Sequence, residues 1–148
     1  MNILPARDAD IPQLCELLSL LFTQEADFTP DEAAQRRGLA LILAHPEQGR
    51  ILVAREADRV LGMVNLLYTV STALGGRVAL LEDMVVRPEA RGLGLGAALL
   101  EEAVAVARRE GCLRITLLTD ADNQAAQRFY QRQGFALSAM VPMRRLLG

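Results

Sequence analysis

The chain has 148 residues, 51% of them apolar, with four Phe, two Tyr and no Trp, which suffices for one domain with a core of Leu, Val and Ala. Its formal net charge of −2 lacks the basic excess expected of a nucleic-acid binder. All 16 cationic side chains are Arg, so lysine chemistry is excluded and a Walker-type phosphate loop lacks its Lys. Residues 1–50 hold four Arg against eight Asp and Glu, an acidic bias suited to a cationic substrate or simply to solvation. No signal peptide or bilayer-spanning apolar run is visible, so a cytoplasmic protein with no membrane partner is expected. Cys15 and Cys112 lack metal or redox spacing and read as buried thiols; no metal site is expected.

In chain order, residues 2–6 form a short apolar strand. Asp8 or Asp10 is placed to cap a helix whose stripe is Ile11, Leu14, Cys15, Leu18, Leu21 and Phe22. Pro12 is tolerated there because the first helical turn has no N–H partners to lose. Residues 24–29 read as a loop. Thr29, Pro30, Asp31 and Glu32 resemble a capping box with Pro at the first helical position, opening a second helix to about His45. From Arg50 the pattern changes. Residues 51–55 and 60–69 are β-rich runs joined by the polar turn Ala57, Asp58, Arg59, and residues 73–76 turn the chain into a third run over 78–86. A helix over 94–110 ends at Gly111, a strand covers 114–119, and a helix over 122–133 stops at Gly134. Residues 135–147 read as one or two closing strands. The order βααβββαβαβ(β) describes one mixed α/β domain, 1–148, with a central, mostly antiparallel sheet flanked by helices.

The stretch with most chemistry is Val85 to Gly96. An apolar run ends in a turn containing Pro88, passes Gly92, Gly94 and Gly96, and enters the helix at Ala97. So little side chain exposes bare N–H groups at a helix start, where the free donors and the positive dipole end favour phosphate. Gly92, Gly94 and Ala97 fit the dinucleotide fingerprint, and Asp120 ends the next strand. Three features oppose that register: five residues separate the strand from the first glycine, three antiparallel runs precede it, and too little chain follows Asp120.

The other register, Arg91-x-x-Gly94-x-Gly96, resembles the acyl-CoA-binding motif of the GNAT superfamily of N-acetyltransferases. Residues 81–86 are similar to that family's central strand. Asn123, Ala126, Phe129, Tyr130, Gly134 and Phe135 stand at the spacing of its second signature. The resemblance implies a GNAT-like fold and an N-acetyltransferase using acetyl-CoA as co-substrate, with a small-molecule or peptide amine as acceptor. The backbone of Gly92, Leu93, Gly94, Leu95, Gly96 and Ala97 would hold the CoA pyrophosphate, with Arg91 as a further donor. Met84, Val85 and Val86 would pair with the pantetheine arm like an added strand. Asn123 and Ala126 would help seat the cofactor, Asn123 being equally suited to capping its helix.

A lysine-like amine with pKa about 10.4 is neutral in only about one molecule in 2,500 at pH 7, roughly 4.6 kcal/mol against attack. A carboxylate is needed to draw off the proton, and Glu82 and Asp83 are the candidates. Strand alternation sends them to opposite faces, so one at most faces the acceptor; the resemblance favours Glu82. It also implies that Tyr130 protonates or hydrogen-bonds the departing sulfur. Proton transfer from a phenol near 10 to a thiolate near 8.5 runs uphill by about 2 kcal/mol, so a hydrogen bond suffices as its contribution. Neither motif holds a cysteine, which favours direct attack in a ternary complex over an acyl-enzyme. Residues 25–29 and 68–72 are candidates for acceptor selection, with Glu25 and Asp27 suited to attract a cation, and His45 reads as a helix-end residue. The family resemblance and the apolar closing strands imply a homodimer. A second function class keeps the same loop: a catalytically silent acyl-CoA binder acting as a sensor or interaction module.

Overall fold

The computed structural model describes residues 2–24 and 30–148, excepting the side chain of Gln24. Of the loop expected over 24–29, Gln24 closes the first helix instead, and the rest, with the Thr29 cap and the acceptor candidates 25–29, lies outside the described residues. Two compact units are present, Met1–Leu118 and Thr119–Gly148.

In the first unit, β1 (Asn2–Pro5), β2 (Gly49–Glu56), β3 (Arg59–Ser71), β4 (Gly76–Val86) and β5 (Ile115–Leu117) form one sheet in the order β1-β2-β3-β4-β5. All neighbours are antiparallel except β4 and β5, which are parallel because a helix crosses between them. That helix is α3 (Leu95–Arg109), which packs on β1 to β4. It ends at Gly111, φ +83, where Cys112 N–H reaches Ala107 O at 2.9 Å and Gly111 N–H reaches Arg108 O at 3.0 Å.

The helices α1 (Ile11–Gln24) and α2 (Glu32–Ala44) pack together, and their buried Leu14, Leu17, Leu18 and Leu39 meet Ile51, Val53, Val60 and Met63 of the sheet. Alternation along β2 sends the equally buried Leu52 and Ala54 to the opposite face. A short 3-10 turn, Asp8–Asp10, precedes α1. Asp10, 2% exposed, accepts from Arg7 N–H at 2.8 Å and from the Arg55 guanidinium at 2.6 Å, tying this turn to β2. The cap of α2 is Asp31, which accepts from Ala34 N–H at 3.1 Å, so Pro30 lies outside the helix and not at its first position.

The second unit holds α4 (Gln124–Arg132), started by Asn123 and followed by Gly134 at φ +96. The closing strands expected over 135–147 are not formed, and the element order is βααβββαβα. An apolar run is not sufficient for a strand: Pro142 has no N–H to give a ladder, and neighbouring apolar pairs such as Met140 and Val141 break strict alternation.

Candidate active site

The first component is an irregularity in β4. Gly62 and Met63 face Val86 and Val85, whereas Asn65 faces Glu82, so Val64 alone lies opposite both Asp83 and Met84. This one-residue bulge puts Asp83 at φ +55, a left-handed conformation that costs a non-glycine residue about 1–2 kcal/mol. The expected alternation of Glu82 and Asp83 fails here. The cross-strand partner of Glu82 is Asn65, and the Asp83 carboxylate accepts from Asn65 Nδ2 at 2.7 Å, so both acids gather at one asparagine. Glu82 is exposed, while Asp83 is half-buried.

Beyond the bulge, β4 and β5 part company. Their ladder joins Ala79, Leu80 and Leu81 to Ile115, Thr116 and Leu117 and stops there. The β5-side edge of Met84, Val85 and Val86 is therefore unladdered among the described residues. Buried Arg87 fixes the end of the strand: its Nε donates to Val60 O at 2.7 Å and its Nη2 to Glu16 of α1 at 2.7 Å. Arg59 pairs with Glu89 across the same turn. Arg91, exposed, folds back so that Nε donates to Val86 O at 3.2 Å.

Next comes the glycine loop. Arg91 N–H bonds Pro88 O, and the first main-chain donor of α3 is Ala98, to Gly94 O at 3.1 Å. Between them the N–H groups of Gly92, Leu93, Gly94, Leu95, Gly96 and Ala97 have no partner among the described residues. Gly92 and Gly94 take φ +84 and +75, and a Cβ on either would meet no atom within 4 Å. The donors thus border open space, and side chains are kept out of it by backbone conformation rather than by crowding.

In the second unit, Asn123 Oδ1 accepts from Ala126 N–H at 3.1 Å, so its side chain caps α4. Tyr130 sits edge-on between Phe129 (centroids 5.1 Å apart) and Phe135 (5.9 Å). Burial pushes its phenol above the usual value near 10, so it stays protonated at physiological pH.

A cavity of about 300 Å³ opens where α1, α2, β3 and β4 meet. Leu18, Phe22, Leu39 and Ile42 supply apolar wall, and Asp31, Gln35, Asn65 and Asp83 supply the polar groups. Reasoning from the sequence missed Gln35 and Asn65. For Gln35 the signal was available: it shares a helical stripe with Leu39 and Ile42, where an apolar residue is expected. The candidates at 68–72 are not brought here, because Tyr68 to Ser71 pair with Ala79 to Gly76 at the far end of the β3–β4 hairpin. His45 stands at the end of α2 with Nδ1 2.8 Å from Leu41 O. Burial raises the pKa of both Cys15 and Cys112, leaving neither as a thiolate nucleophile at neutral pH. Among the described residues no cluster of His, Cys, Asp and Glu could hold a metal, and no helix is long and apolar enough to cross a membrane.

Comparison with known proteins bears on this arrangement. The Acetyltransferase (GNAT) family matches residues 11–135. The chain is 30% identical over 137 residues to the uncharacterized N-acetyltransferase YhfO of Bacillus subtilis, covering 91% of this chain and 89% of that protein. It is 31% identical to the mycothiol acetyltransferase of an Arthrobacter species, across 86% of this chain but only 44% of the longer relative. Among solved structures, the integron cassette protein HFX_CASS3 from a Cole Harbour salt-marsh metagenome superposes with a TM-score of 0.85 at 30% identity, over 99% of this chain and 90% of that one. With the family matched from α1 through α4 and the fold shared along nearly its whole length, the chain belongs to the GNAT family of acetyltransferases.

Proposed function

We propose that residues 1–148 act as one catalytic domain that moves an acetyl group from acetyl-CoA to a primary amine by direct attack in a ternary complex. The observation that carries this reading is the run of six unpartnered N–H groups, 92–97, following a strand whose edge at 84–86 is unladdered. Such a loop suits a pyrophosphate, since successive amides at a helix start concentrate positive potential and glycine lets the anion reach them. Arg91 adds a cation beside it. The free edge of Met84, Val85 and Val86 suits an amide-bearing arm laid alongside as a strand, which orients the reacting carbonyl. Bound acetyl-CoA supplies the activated acyl thioester.

Glu82 takes the proton from the acceptor ammonium and, being exposed, passes it to solvent. Tyr130 stays protonated and gives its hydrogen bond to the sulfur as negative charge develops there. Asn123 and Ala126 seat the cofactor through the capped start of α4.

The test is release of CoA thiol across an amine panel, using wild type and Glu82→Gln. Amine-dependent release is expected, with kcat/KM in Glu82→Gln lowered about 100-fold at pH 7 and by less as pH approaches the pKa of the amine. Release that ignores the amine, or a deficit independent of pH, would overturn the assignment. Intersecting initial-rate lines are expected; parallel lines would indicate an acyl-enzyme instead.

A further inference from the structure

The polar groups of the α1–α2–β3–β4 cavity do not match the residues around them. Asn65 is 2% exposed and Gln35 is 7% exposed. Asn65 Nδ2 is spent on Asp83, but among the described residues Asn65 Oδ1 has no hydrogen-bond partner, and neither does Oε1 or Nε2 of Gln35. A buried polar group left unsatisfied costs about 1–3 kcal/mol, and leucine would fit an apolar stripe at lower cost. Gly38 lines the same cavity from the middle of α2, where glycine costs about 1 kcal/mol relative to alanine. Among the described residues a Cβ at Gly38 would meet nothing within 4 Å, so their packing gives no reason for the glycine. Three stability penalties therefore converge on one space.

The chemistry of the walls limits what fits. Asp31 and Asp83 line the cavity and, among the described residues, no cationic side chain does, so the walls disfavour an anion and accommodate an ammonium. An ammonium offers three donors and no acceptor, which suits Asn65 Oδ1 beside the Asp83 carboxylate. Gln35, with a free donor and a free acceptor, pairs best with a group that also has both, an amide or a hydroxyl. At about 30 Å³ of liquid volume per water, the cavity holds a ligand of about ten heavy atoms.

We propose that this cavity is the acceptor site, and that its substrate class is a compact monocationic amine with an apolar stem and one neutral amide or hydroxyl group. This rests on the acetyl-transfer reading, because Asp83 immediately precedes the strand edge assigned to the acyl donor. Asn65 and Gln35 are the specificity-determining residues.

Leucinamide, isopentylamine, leucine and spermidine test it. They represent the proposed class, its loss of the amide, an added negative charge and a long polycation. For wild type, kcat/KM is expected to be at least tenfold higher for leucinamide than for each of the others. Gln35→Leu should collapse the leucinamide-to-isopentylamine ratio to within about threefold. Gly38→Met should raise KM for leucinamide at least tenfold, with acetyl-CoA binding retained. Both variants should fold, since one removes an unpaired polar group and the other a mid-helix glycine; melting temperatures check this, and Gln35→Met replaces any variant that fails.

Calorimetric titration of leucinamide into the CoA-saturated protein separates this proposal from the reading beneath it. Leucinamide binding that these variants weaken, without acetylation of any amine, would uphold the cavity and refute acetyl transfer. Acetylation whose amine preference survives both variants, or a preference for spermidine or leucine, would refute the cavity.

Discussion

Gly94→Ala separates a phosphate cradle from a simple turn. Gly94 holds φ +75, so an alanine there pays about 1–2 kcal/mol of left-handed strain, and with no atom within 4 Å of the new Cβ no clash adds to it. For a domain near 150 residues that is a fall in melting temperature of about 2–8 °C. The effect on CoA should be larger. A phosphate oxygen must come within about 2.9 Å of the amide nitrogens, and the new methyl group occupies that approach. Losing two hydrogen bonds to a charged group, at about 1.5–3 kcal/mol each, weakens binding about 10²- to 10⁴-fold. Gly75→Ala is a matched control: Gly75 has φ +74 and the same open surroundings, but lies in the β3–β4 turn. Calorimetric titration with CoA at fixed salt, alongside thermal unfolding, should show similar losses of stability and a loss of affinity in Gly94→Ala alone. Equal melting shifts with CoA affinities within threefold would mean that the loop only turns the chain.

Two further outcomes follow from single residues. Burial alone would raise the Asp10 pKa, but the Arg55 guanidinium and the Arg7 N–H and side chain outweigh it and hold it below the usual carboxylate value. A depressed folded-state pKa contributes stability that is complete above the unfolded value, about 3.9, and is lost as pH falls toward the folded one. Wild type should therefore exceed Asp10→Asn by about 3 kcal/mol in urea unfolding at pH 5–8, with the gap shrinking below pH 4; a gap unchanged at pH 3 would contradict the ion-pair account. Tyr130→Phe should retain CoA affinity within threefold and lose at least tenfold in kcat, because only the hydroxyl is removed. Unchanged turnover would take Tyr130 out of the mechanism.

Much of the fold was readable because its signals are local. The Leu14-Leu18 stripe, the β-rich runs flanking Ala57 and Asp58, and glycines at 92, 94, 111 and 134 each act within a few residues, and the elements stand where these place them. The glycine loop was readable for the same reason: its chemistry is that of the backbone, and glycine in sequence already states where side chains are missing. What failed depended on partners elsewhere. A closing strand requires an edge to pair with, and the apolar character of 135–147 carries no information about one. The α2 cap moved from Thr29 to Asp31 because both residue types cap well, and two positions of register cannot be resolved from residue type alone.

The acid pair shows the limit most clearly. A period of two assigns Glu82 and Asp83 to opposite faces with apparent certainty, yet one extra residue opposite Val64 cancels the assignment. Nothing in Leu81, Glu82, Asp83 and Met84 announces a bulge, since aspartate only tolerates a positive φ and does not demand it. The cause is cross-strand: Asn65, buried among apolar neighbours, needs a partner, and the bulge turns the Asp83 carboxylate onto its amide at 2.7 Å. The same distortion comes where the β4–β5 ladder ends, so it coincides with an unladdered edge at 84–86. Strain at Asp83 and its place in the wall of the cavity are therefore two consequences of one inserted residue, and the free edge begins beside it. Restoring regular pairing would satisfy the backbone and remove the arrangement on which the proposed transfer depends.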